Sequence, residues 1–353
     1  MKKLLFILFL GLIGCKSEEK EIQKKAFSQV IVEPVLVDSL SVRAIEIMGN
    51  TVAFAGSDGH FGVYIPSQDK VNRNRQQHDS IYPEFRAVAS TSEDFFMLSV
   101  GNPALLYKTG DQGEMELVYT EEHEKVFYDS MDFWNEQEGI ALGDPVENCL
   151  SIIVTRDGGK SWKKISCGNL PEIEEGEAAF AASDSNIAIK GDKTWIVTGG
   201  MVSRVFFSPD KGRNWEVFKL PIINGKATTG AYSVDFYDEL HGIVIGGDYT
   251  VPDGNSANKA VTEDGGKTWN LVADGKDPGY KSSIRYVPGG DGKEIVAVGF
   301  TGIAYSTDGG ASWEDLSDEG FYTIRFLNDS TAFAAGKHRL AKIKFKREGK
   351  VLP

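Results

Sequence analysis

The stretch TEDGGKTWNLV, residues 262–272, decides the fold because the chain repeats it. Its pattern is Ser or Thr, then Asp two residues later, Gly two residues after that, and Trp three residues further on. Such a pattern is typical of a tight turn used repeatedly in a chain built of short strands. A degenerate copy, TGDQGEME, begins at Thr109 and has Glu116 where Trp is expected. The other full copies are TRDGGKSWKKI (155–165), SPDKGRNWEVF (208–218) and STDGGASWEDL (306–316).

A second repeat, a strand-like run that ends in glycine, lies between the copies of the turn. The glycines follow one another at intervals of 45, 42, 56, 47, 53 and 37 residues. Most of these runs have another strand-like run ahead of them, and the middle five are followed by a third and a fourth. A repeat of about 45 residues with four strands is typical of a β-propeller blade. The runs end at Gly56, Gly101, Gly143, Gly199, Gly246, Gly299 and Gly336.

The last repeat supplies only three strand-like runs, and a fourth is found near the other end of the chain. SQVIVEPVLV, residues 28–37, precedes the first repeat and belongs to none of them. A propeller closes its ring by completing one blade with strands from both ends. We therefore predict an all-β fold, a seven-bladed β-propeller of four-stranded blades, in which strand 28–37 completes the last blade.

The aspartates and tryptophans of the repeated turn are predicted to be structural. The Asp carboxylate accepts hydrogen bonds from amides of its own turn, Gly adopts the positive φ of a tight hairpin, and Trp packs across the turn. Catalysis would require the carboxylates to converge, whereas rotation about a ring keeps equivalent outer turns far apart. The residues are Asp157, Trp162, Asp210, Trp215, Asp264, Trp269, Asp308 and Trp313.

The repeated turn resembles the Asp-box, or BNR repeat, of the sialidase-like propellers. With glycine-ended strands between its copies, the chain is most similar to the propeller family of the photosystem II assembly and stability factors, over roughly residues 29–347. That resemblance implies a seven-bladed, non-catalytic scaffold that holds another protein with an arginine patch on its channel face. Relatives of this family often carry the label oxidoreductase, but no Gly-x-Gly-x-x-Gly motif opens a helix here.

The N-terminal segment has the features of a lipoprotein signal followed by a tether. Two lysines precede an apolar stretch too short to span a bilayer, and LIGC, which ends at Cys15, resembles a bacterial lipobox. We expect lipidation of Cys15 and hence an outer-membrane lipoprotein of the cell envelope, facing the periplasm or the cell surface. A plain secretory signal peptide is the alternative. The predicted organisation is signal peptide 1–14, lipidated Cys and flexible tether 15–27, propeller 28–347 and tail 348–353.

Charge and cysteine content narrow the class of partner. The formal net charge is −13 and the basic residues form no run, so nucleic acid and anionic membrane surfaces are poor partners. Cys149 and Cys167 flank one turn almost symmetrically and would be near cross-strand neighbours in a hairpin. We expect them to form a disulfide, with two unpaired thiols as the alternative. We also expect a monomer that holds no metal and no cofactor.

The candidate site is the channel face, which the innermost strands and the loops after the second strands surround. Aligning the first strands places four arginines on consecutive blades of the closed ring, with Asp132 and Asp235 across the channel. Guanidinium groups pair bidentately with carboxylates and phosphates, so we predict an acidic ligand on a protein partner, a small molecule or a glycan. Alternatively, each arginine pairs with an acidic neighbour and braces adjacent blades. The candidate ligand-binding residues are Arg43, Arg86, Arg285, Arg325, Asp144, Asp248, His60 and His338.

Two other functions stay open beside a membrane-anchored, non-catalytic scaffold used in assembling an envelope complex. A sialidase-like or other glycoside hydrolase would use two carboxylates, for which Asp144 and Asp248 are the candidates. Against a sialidase, no Tyr–Glu pair can be assigned, and the faint match to an Arg-Ile-Pro strand lacks its Pro. A carbohydrate-binding surface lipoprotein would differ from the scaffold only in its ligand.

Overall fold

The computed structural model describes residues 25–348 as a succession of strands with two short 3-10 helices, Ser57–Gly59 and Cys167–Asn169. Within these residues, no helix has the length and apolar character needed to cross a membrane. The predicted lipidation site, Cys15, lies outside the described residues. The first strands are β1 (Gln29–Met48), β2 (Thr51–Gly56), β3 (His60–Ile65), β4 (Lys70–Arg75), β5 (Phe85–Ser90), β6 (Phe95–Ser99), β7 (Ala104–Thr109), β8 (Met115–Glu121), β9 (Tyr128–Phe133), β10 (Gly139–Gly143), β11 (Ser151–Thr155), β12 (Lys163–Lys164), β13 (Glu177–Ala178) and β14 (Ile187–Lys190). The remaining strands are β15 (Lys193–Val197), β16 (Gly199–Gly200), β17 (Arg204–Ser208), β18 (Glu216–Lys219), β19 (Thr229–Phe236), β20 (Gly242–Asp248), β21 (Lys259–Thr262), β22 (Asn270–Leu271), β23 (Ser283–Tyr286), β24 (Ile295–Gly299), β25 (Gly302–Ser306), β26 (Glu314–Ser317), β27 (Thr323–Phe326) and β28 (Thr331–Lys346).

The strands form antiparallel sheets whose innermost strands contact one another round a central axis. The order of contact is β1, β5, β9, β14, β19, β23, β27 and β1 again. Neighbouring sheets cover each other's faces, so that second strands such as β10 and β24 are buried along their whole length. The predicted all-β propeller is confirmed. The sheets, in hydrogen-bonded order, are β27-β28-β1-β2-β3-β4, β5-β6-β7-β8, β12-β11-β10-β9, β14-β15-β17-β18, β13-β16-β19-β20-β21-β22 and β23-β24-β25-β26.

The ring closes through β1, which pairs with the last strand. Residues 29–37 pair antiparallel with residues 339–346 of β28, whereas residues 42–48 pair with β2. The two halves of β28 lie side by side. This is seen in the hydrogen bond that the amide of Phe345 donates, at 2.8 Å, to the carbonyl of Ser330, the residue before β28. The predicted closure by an N-terminal strand is confirmed.

Counted as hydrogen-bonded sheets, the blades number six, one fewer than the seven predicted. The difference arises at β1, which is one continuous strand of 20 residues. Hydrogen bonding therefore joins the strands that the sequence assigned to the last and the first repeats into a single six-stranded sheet. The middle of β1, VDSLSV (37–42), contains no Gly or Pro that would break the strand.

The repeated turn is a hydrogen-bonded cage around its aspartate, as seen at Asp264. Thr262 and Thr268 donate their hydroxyl protons to the two carboxylate oxygens at 2.9 and 2.7 Å. The amide of Gly266 donates to the Thr262 hydroxyl at 2.9 Å, and the Trp269 indole donates to the Gly266 carbonyl at 2.9 Å. Burial alone would raise the pKa of Asp264, but these hydrogen bonds outweigh it and lower the pKa. Comparable cages surround Asp157, Asp210 and Asp308.

The degenerate fifth turn is built differently. Asp111 is exposed, and the register of β7 with β8 slips by one residue. Because this turn is one residue shorter than the full turns, Met115, and not Glu116, lies opposite Thr109. In the full turns, Trp lies opposite the first Ser or Thr. Val261 of β21 pairs with Asn270 of β22, for example, so the next position towards the turn sets Thr262 opposite Trp269. The alignment that put Glu116 in the place of Trp is therefore off by one residue.

The disulfide lies at the open end of the hairpin of β11 and β12, opposite its turn. Cys149 and Cys167 are bonded, with their Cα atoms 5.5 Å apart. They flank β11 and β12, so the bond ties the chain that enters this hairpin to the chain that leaves it.

The packed domain extends to Phe27, one residue beyond the predicted boundary of the tether. Phe27 is 2 % exposed, and its ring centroid lies 4.8 Å from that of Tyr305 and 4.7 Å from that of Phe345. An aromatic ring buried in this way contributes to the core rather than to a flexible linker.

Candidate binding site in the central channel

Four of the inner strands carry a β-bulge, and the bulged residues form the first level of the channel. At each bulge the strand has one extra residue that lacks a partner across the strand pair. Bulges re-aim the side chain they carry and are common beside binding sites. We call these residues the bulge level: Arg43 in β1, Arg86 in β5, Asp129 in β9 and Tyr232 in β19.

The second level of the channel follows further along the same strands. Its members face the residue three positions before the glycine that ends each second strand, as Arg285 faces Val296 and Glu46 faces Ala53. The sequence alignment placed Arg43 and Arg86 on this level, and the structure corrects it. In β1 the position belongs to Glu46, because the bulge lies upstream of it and carries Arg43. The second level comprises Glu46, Asp132, Asp235, Arg285 and Arg325.

Residues 179–186, here called the crossing segment, pass through the channel and divide it. Ala179 is the residue of the fourth repeat that aligns with the inner-strand arginines in the sequence, but the inner strand of this sheet, β14, begins at Ile187. The Asp184 carboxylate anchors the crossing segment by accepting hydrogen bonds from the amides of Val88 and Met131, at 3.1 and 3.0 Å. Its other residues are mostly Ala and Ser, which are small enough to fit between the inner strands. A separate cavity therefore lies on each side.

A cavity of about 580 Å³, here called the large cavity, opens on one side of the crossing segment. Aromatic rings cover much of its wall. Phe180 is stacked on Tyr232 with centroids 3.9 Å apart, and Tyr232 meets Tyr280 edge-on at 4.9 Å. Tyr249 and Phe300 remain 45 % and 44 % exposed. The charged side chains of the lining are Arg43, Arg86 and Asp144.

Arg43 and Arg86 form a pair of like charges in this cavity. Burial lowers the pKa of Arg43, and the charge of Arg86 lowers it further. Arg43 donates to the neutral carbonyl of Ala182 at 3.3 Å and lies over the Tyr322 ring at 4.1 Å, while its Nε is buried without a hydrogen bond. Arg86 pairs with Glu84 at 3.2 Å. In the described part of the chain, no carboxylate forms an ion pair with Arg43, so the pair is suited to an anion.

Two carboxyl groups lie beside the arginine pair. Asp129 is fully buried, and neither of its oxygens makes a hydrogen bond of normal geometry. Burial and the neighbouring Asp144 raise its pKa, against the attraction of Arg86. Burial raises the pKa of Asp144 to about 6, although its carboxylate accepts a hydrogen bond from the Ala179 amide at 2.8 Å. Both carboxyl groups therefore bind a proton more readily than an exposed aspartate does.

A smaller cavity of about 170 Å³ lies on the other side of the crossing segment. The second level and Asp184 surround it. Burial raises the pKa of Glu46 to about 7 and that of Asp184 to about 6, and in both cases the charge of Arg325 opposes the rise. Burial and the neighbouring Arg325 lower the pKa of Arg285 to about 10. The lining thus holds four carboxyl groups and two arginines within a small volume.

The second-level arginines hold the crossing segment in place. Arg325 donates to the carbonyl of Asp184 at 2.8 Å and approaches the carboxylates of Glu46 and Asp184 at 3.7 and 3.8 Å. Arg285 donates to the hydroxyl of Ser185 at 3.0 Å. The four candidate arginines therefore fall into two pairs, one on each level of the channel. Arg285 and Arg325 contact the crossing segment and line the smaller cavity, whereas Arg43 and Arg86 line the large cavity.

The remaining candidates line neither cavity. Asp248 is 7 % exposed and accepts hydrogen bonds from the amide and hydroxyl of Thr250, at 3.0 and 2.6 Å. His60 opposes Arg75 on the outer strand β4. His338 is exposed at a turn, with φ of 63°. Within residues 25–348, no group of three or more His, Cys, Asp or Glu side chains is placed to hold a metal ion.

The aromatic wall and three of the channel's carboxyl groups, Glu46, Asp129 and Asp184, were not predicted from the sequence. A signal for the wall was present, because Phe300 follows directly after a strand-ending glycine and Tyr249 lies three residues after another. The residues that directly follow the second strands place their side chains at the channel mouth. Asp129 had no such signal, since only the bulge turns it inward.

Comparison with known proteins supports the fold. No protein-family model matches the chain, and no curated protein matches it significantly. The solved structure of YCF48 bound to D1 peptide has a TM-score of 0.64 at 14 % identity, covering 91 % of this chain and 97 % of that one. YCF48 from Cyanidioschyzon merolae gives 0.59 at 14 % identity, with 91 % and 99 % covered. The WD40 repeats of RRP9 give 0.60 at 12 % identity, with 92 % and 100 % covered. The chain is thus a β-propeller similar in structure to YCF48 and to WD40 propellers.

Proposed function

We propose that this protein is a non-catalytic scaffold that binds an acidic segment of a partner protein in the large cavity. The observation that carries the proposal is the arginine pair on the bulge level. Burial and the charge of Arg86 lower the pKa of Arg43, and the one hydrogen bond that Arg43 donates goes to a neutral carbonyl. An incoming carboxylate would relieve this repulsion and accept charge-assisted hydrogen bonds from both guanidinium groups.

The walls of the large cavity suit a protein segment better than a free inorganic anion. Its volume of about 580 Å³ lies in the range usual for ligand sites, about 300–1,000 Å³. Tyr249 and Phe300 offer exposed ring faces against which side chains next to the acidic group can pack. The likeness in fold to YCF48, which has been solved with a D1 peptide bound, is consistent with a peptide as the ligand.

The finer organisation belongs to the same proposal. We interpret the six-stranded sheet that contains β1 as two radial units, which gives seven inner strands round the axis. We further propose that a lipid on Cys15 anchors the domain to the outer membrane and that the partner belongs to an envelope complex under assembly. A monomer suffices for this role, since one ring carries a complete cavity.

The proposal is tested with the double variant Arg43→Ala/Arg86→Ala and a fluorescent, blocked tetra-aspartate peptide as the probe. We expect the variant to bind the peptide at least about tenfold more weakly, with the slope of affinity against salt reduced. The control is Arg156→Ala/Arg213→Ala, which removes two arginines that pair with Glu138 on the outer surface. Equal weakening in both variants would show that the probe responds to overall charge, and it would overturn the proposal.

A second candidate function, carbohydrate binding or hydrolysis, rests on Asp144. A carboxyl group with a pKa of about 6 in an aromatic-walled cavity has the properties of a general acid. Its expected partner, Asp248, does not line the cavity, and two arginines are present where a sialidase requires three. Hydrolysis of a panel of aryl glycosides by the native protein, abolished in Asp144→Asn, would establish this function in place of the scaffold.

A further inference from the structure

The tryptophans of the four full turns each seal a seam between their own sheet and the preceding one. Trp162 lies between Phe96 of β6 and Phe133 of β9, with ring centroids 6.3 and 5.8 Å away. Trp269 lies edge-on to Phe236 of β19 at 6.0 Å, in a core cluster shared with β15 and β17. Trp215 and Trp313 occupy the same place in their own seams. An indole thus fills the outer seam at four places in this fold.

One seam has the same position but lacks the indole. Between the sheet that contains β1–β4 and the sheet β5–β8 lies a cavity of about 450 Å³, here called the open seam. The residue opposite Thr109 is Met115, whose side chain is smaller than Trp and lines the cavity without filling it. The apolar residues of the lining are Met48, Ala53, Phe61, Val63, Phe95 and Met115.

The two flanks of the open seam carry opposite charges. The outer strand β4 reads KVNRNR (70–75) and is basic, although the whole chain has a net charge of −13. Arg75 donates to the neutral carbonyl of Asp58 at 2.8 Å and lies over the Tyr82 ring at 3.4 Å. The facing turn is acidic, with Asp111, Glu114 and Glu116 exposed. A segment that enters along β4 is therefore favoured if it carries negative charge.

We propose that the open seam is a second docking site, which takes a tryptophan side chain presented by an acidic segment of a partner protein. The indole fills the space that Trp162 and Trp269 fill in their seams. Carboxylates beside it pair with Lys70 and Arg75 of β4, since Arg73 is already paired with Asp38. Buried aromatic anchors surrounded by charged contacts are the usual source of affinity in protein interfaces. This site lies at the perimeter of the ring and is separate from the large cavity, so it goes beyond the function proposed above.

The first test uses 5-fluoroindole as the probe, with binding followed by fluorine NMR and by thermal denaturation. The native protein should bind it, as apolar cavities bind aromatic molecules. Met115→Trp should fill the seam, raise Tm and weaken binding at least about tenfold. Glu116→Trp is the matched control, because it adds the same side chain to the solvent-facing side of the same strand, and binding should persist. Ala53→Leu fills the cavity from the opposite wall and should also abolish binding. This second variant keeps the test decisive if Met115→Trp does not fold.

Absence of binding to the native protein, or unchanged binding in both filled variants, would overturn the proposal. The second test compares blocked peptides with one tryptophan between pairs of aspartates or pairs of lysines. The aspartate peptide should bind at least about tenfold more tightly at low salt, and Arg75→Ala should reduce the difference. Equal affinity of the two peptides, or equal affinity when alanine replaces the tryptophan, would refute the assignment. Binding should persist in Arg43→Ala/Arg86→Ala, which separates this site from the large cavity.

Discussion

Replacing Glu46 by Gln should make the free energy of unfolding fall less between pH 5 and pH 8 than it does in the native protein. Burial raises the pKa of Glu46 to about 7 from an ordinary 4.5, against the attraction of Arg325. The folded state therefore binds this proton more tightly than the unfolded chain does. The stability that Glu46 contributes is fully present below about pH 4.5 and is lost as the pH rises through the folded pKa of about 7. Gln is neutral at every pH, so the variant does not lose this stability as the pH rises.

The magnitude follows from the size of the pKa change. A rise from 4.5 to about 7 corresponds to about 3 kcal/mol at about 1.4 kcal/mol per pKa unit. Since 29 % of the Glu46 side chain remains exposed, solvent screening reduces this figure, and we expect about 2 kcal/mol. The variant should therefore be more stable than the native protein at pH 8, although it lacks the carboxylate that approaches Arg325 at 3.7 Å.

The assay is urea denaturation of both proteins at pH 5 and pH 8, with the m-value checked for a change in compactness. Glu33→Gln controls for the chemical change, because Glu33 lies on the exposed part of the same strand and pairs with Lys344. Parallel pH profiles for Glu46→Gln and the native protein would refute the reasoning. A variant less stable than the native protein at pH 8 would show that attraction to Arg325 outweighs the cost of burial.

Two further predictions concern the ring itself. Deleting residues 25–37 should lower Tm sharply, because β28 loses its partner and Phe27 leaves the core. Deleting only residues 16–24 should leave Tm unchanged. Equal melting curves for the two deletions would contradict the closure of the ring by β1. Trp269→Ala should cost about 3–5 kcal/mol in the free energy of unfolding and leave tetra-aspartate binding unchanged, since Trp269 is 8 % exposed at the outer edge; lost binding in a stable variant would reassign the turn to function.

The repeats made the fold predictable from the sequence, whereas the continuity of its strands was not. Glycine-ended strands and turn cages have local signatures, so the order of the strands and the closing role of residues 28–37 could be foreseen. The number of separate sheets depends on whether hydrogen bonding continues through VDSLSV (37–42), and residue spacing does not report that.

The candidate site was predicted only in part, because bulges and the crossing segment are not visible in a repeat pattern. Arg43 and Arg325 occupy similar positions in a gapless alignment, yet one extra residue in β1 places them on different levels. The stretch that includes Asp184 has the length of an inner strand, but it leaves the blade and divides the channel. In both cases the outcome is decided by tertiary contacts rather than by local propensity.

The pairing of β1 with β28 also imposes an order in time. Ribosomes make residues 29–37 early and residues 339–346 late, so the first half of β1, residues 29–37, has no partner until nearly all of the ring exists. During that interval its polar backbone edge is open to the edges of other chains. Contacts between such distant parts of a chain also form slowly. The ring is therefore completed only when residues 339–346, the last strand to be made, pair with residues 29–37.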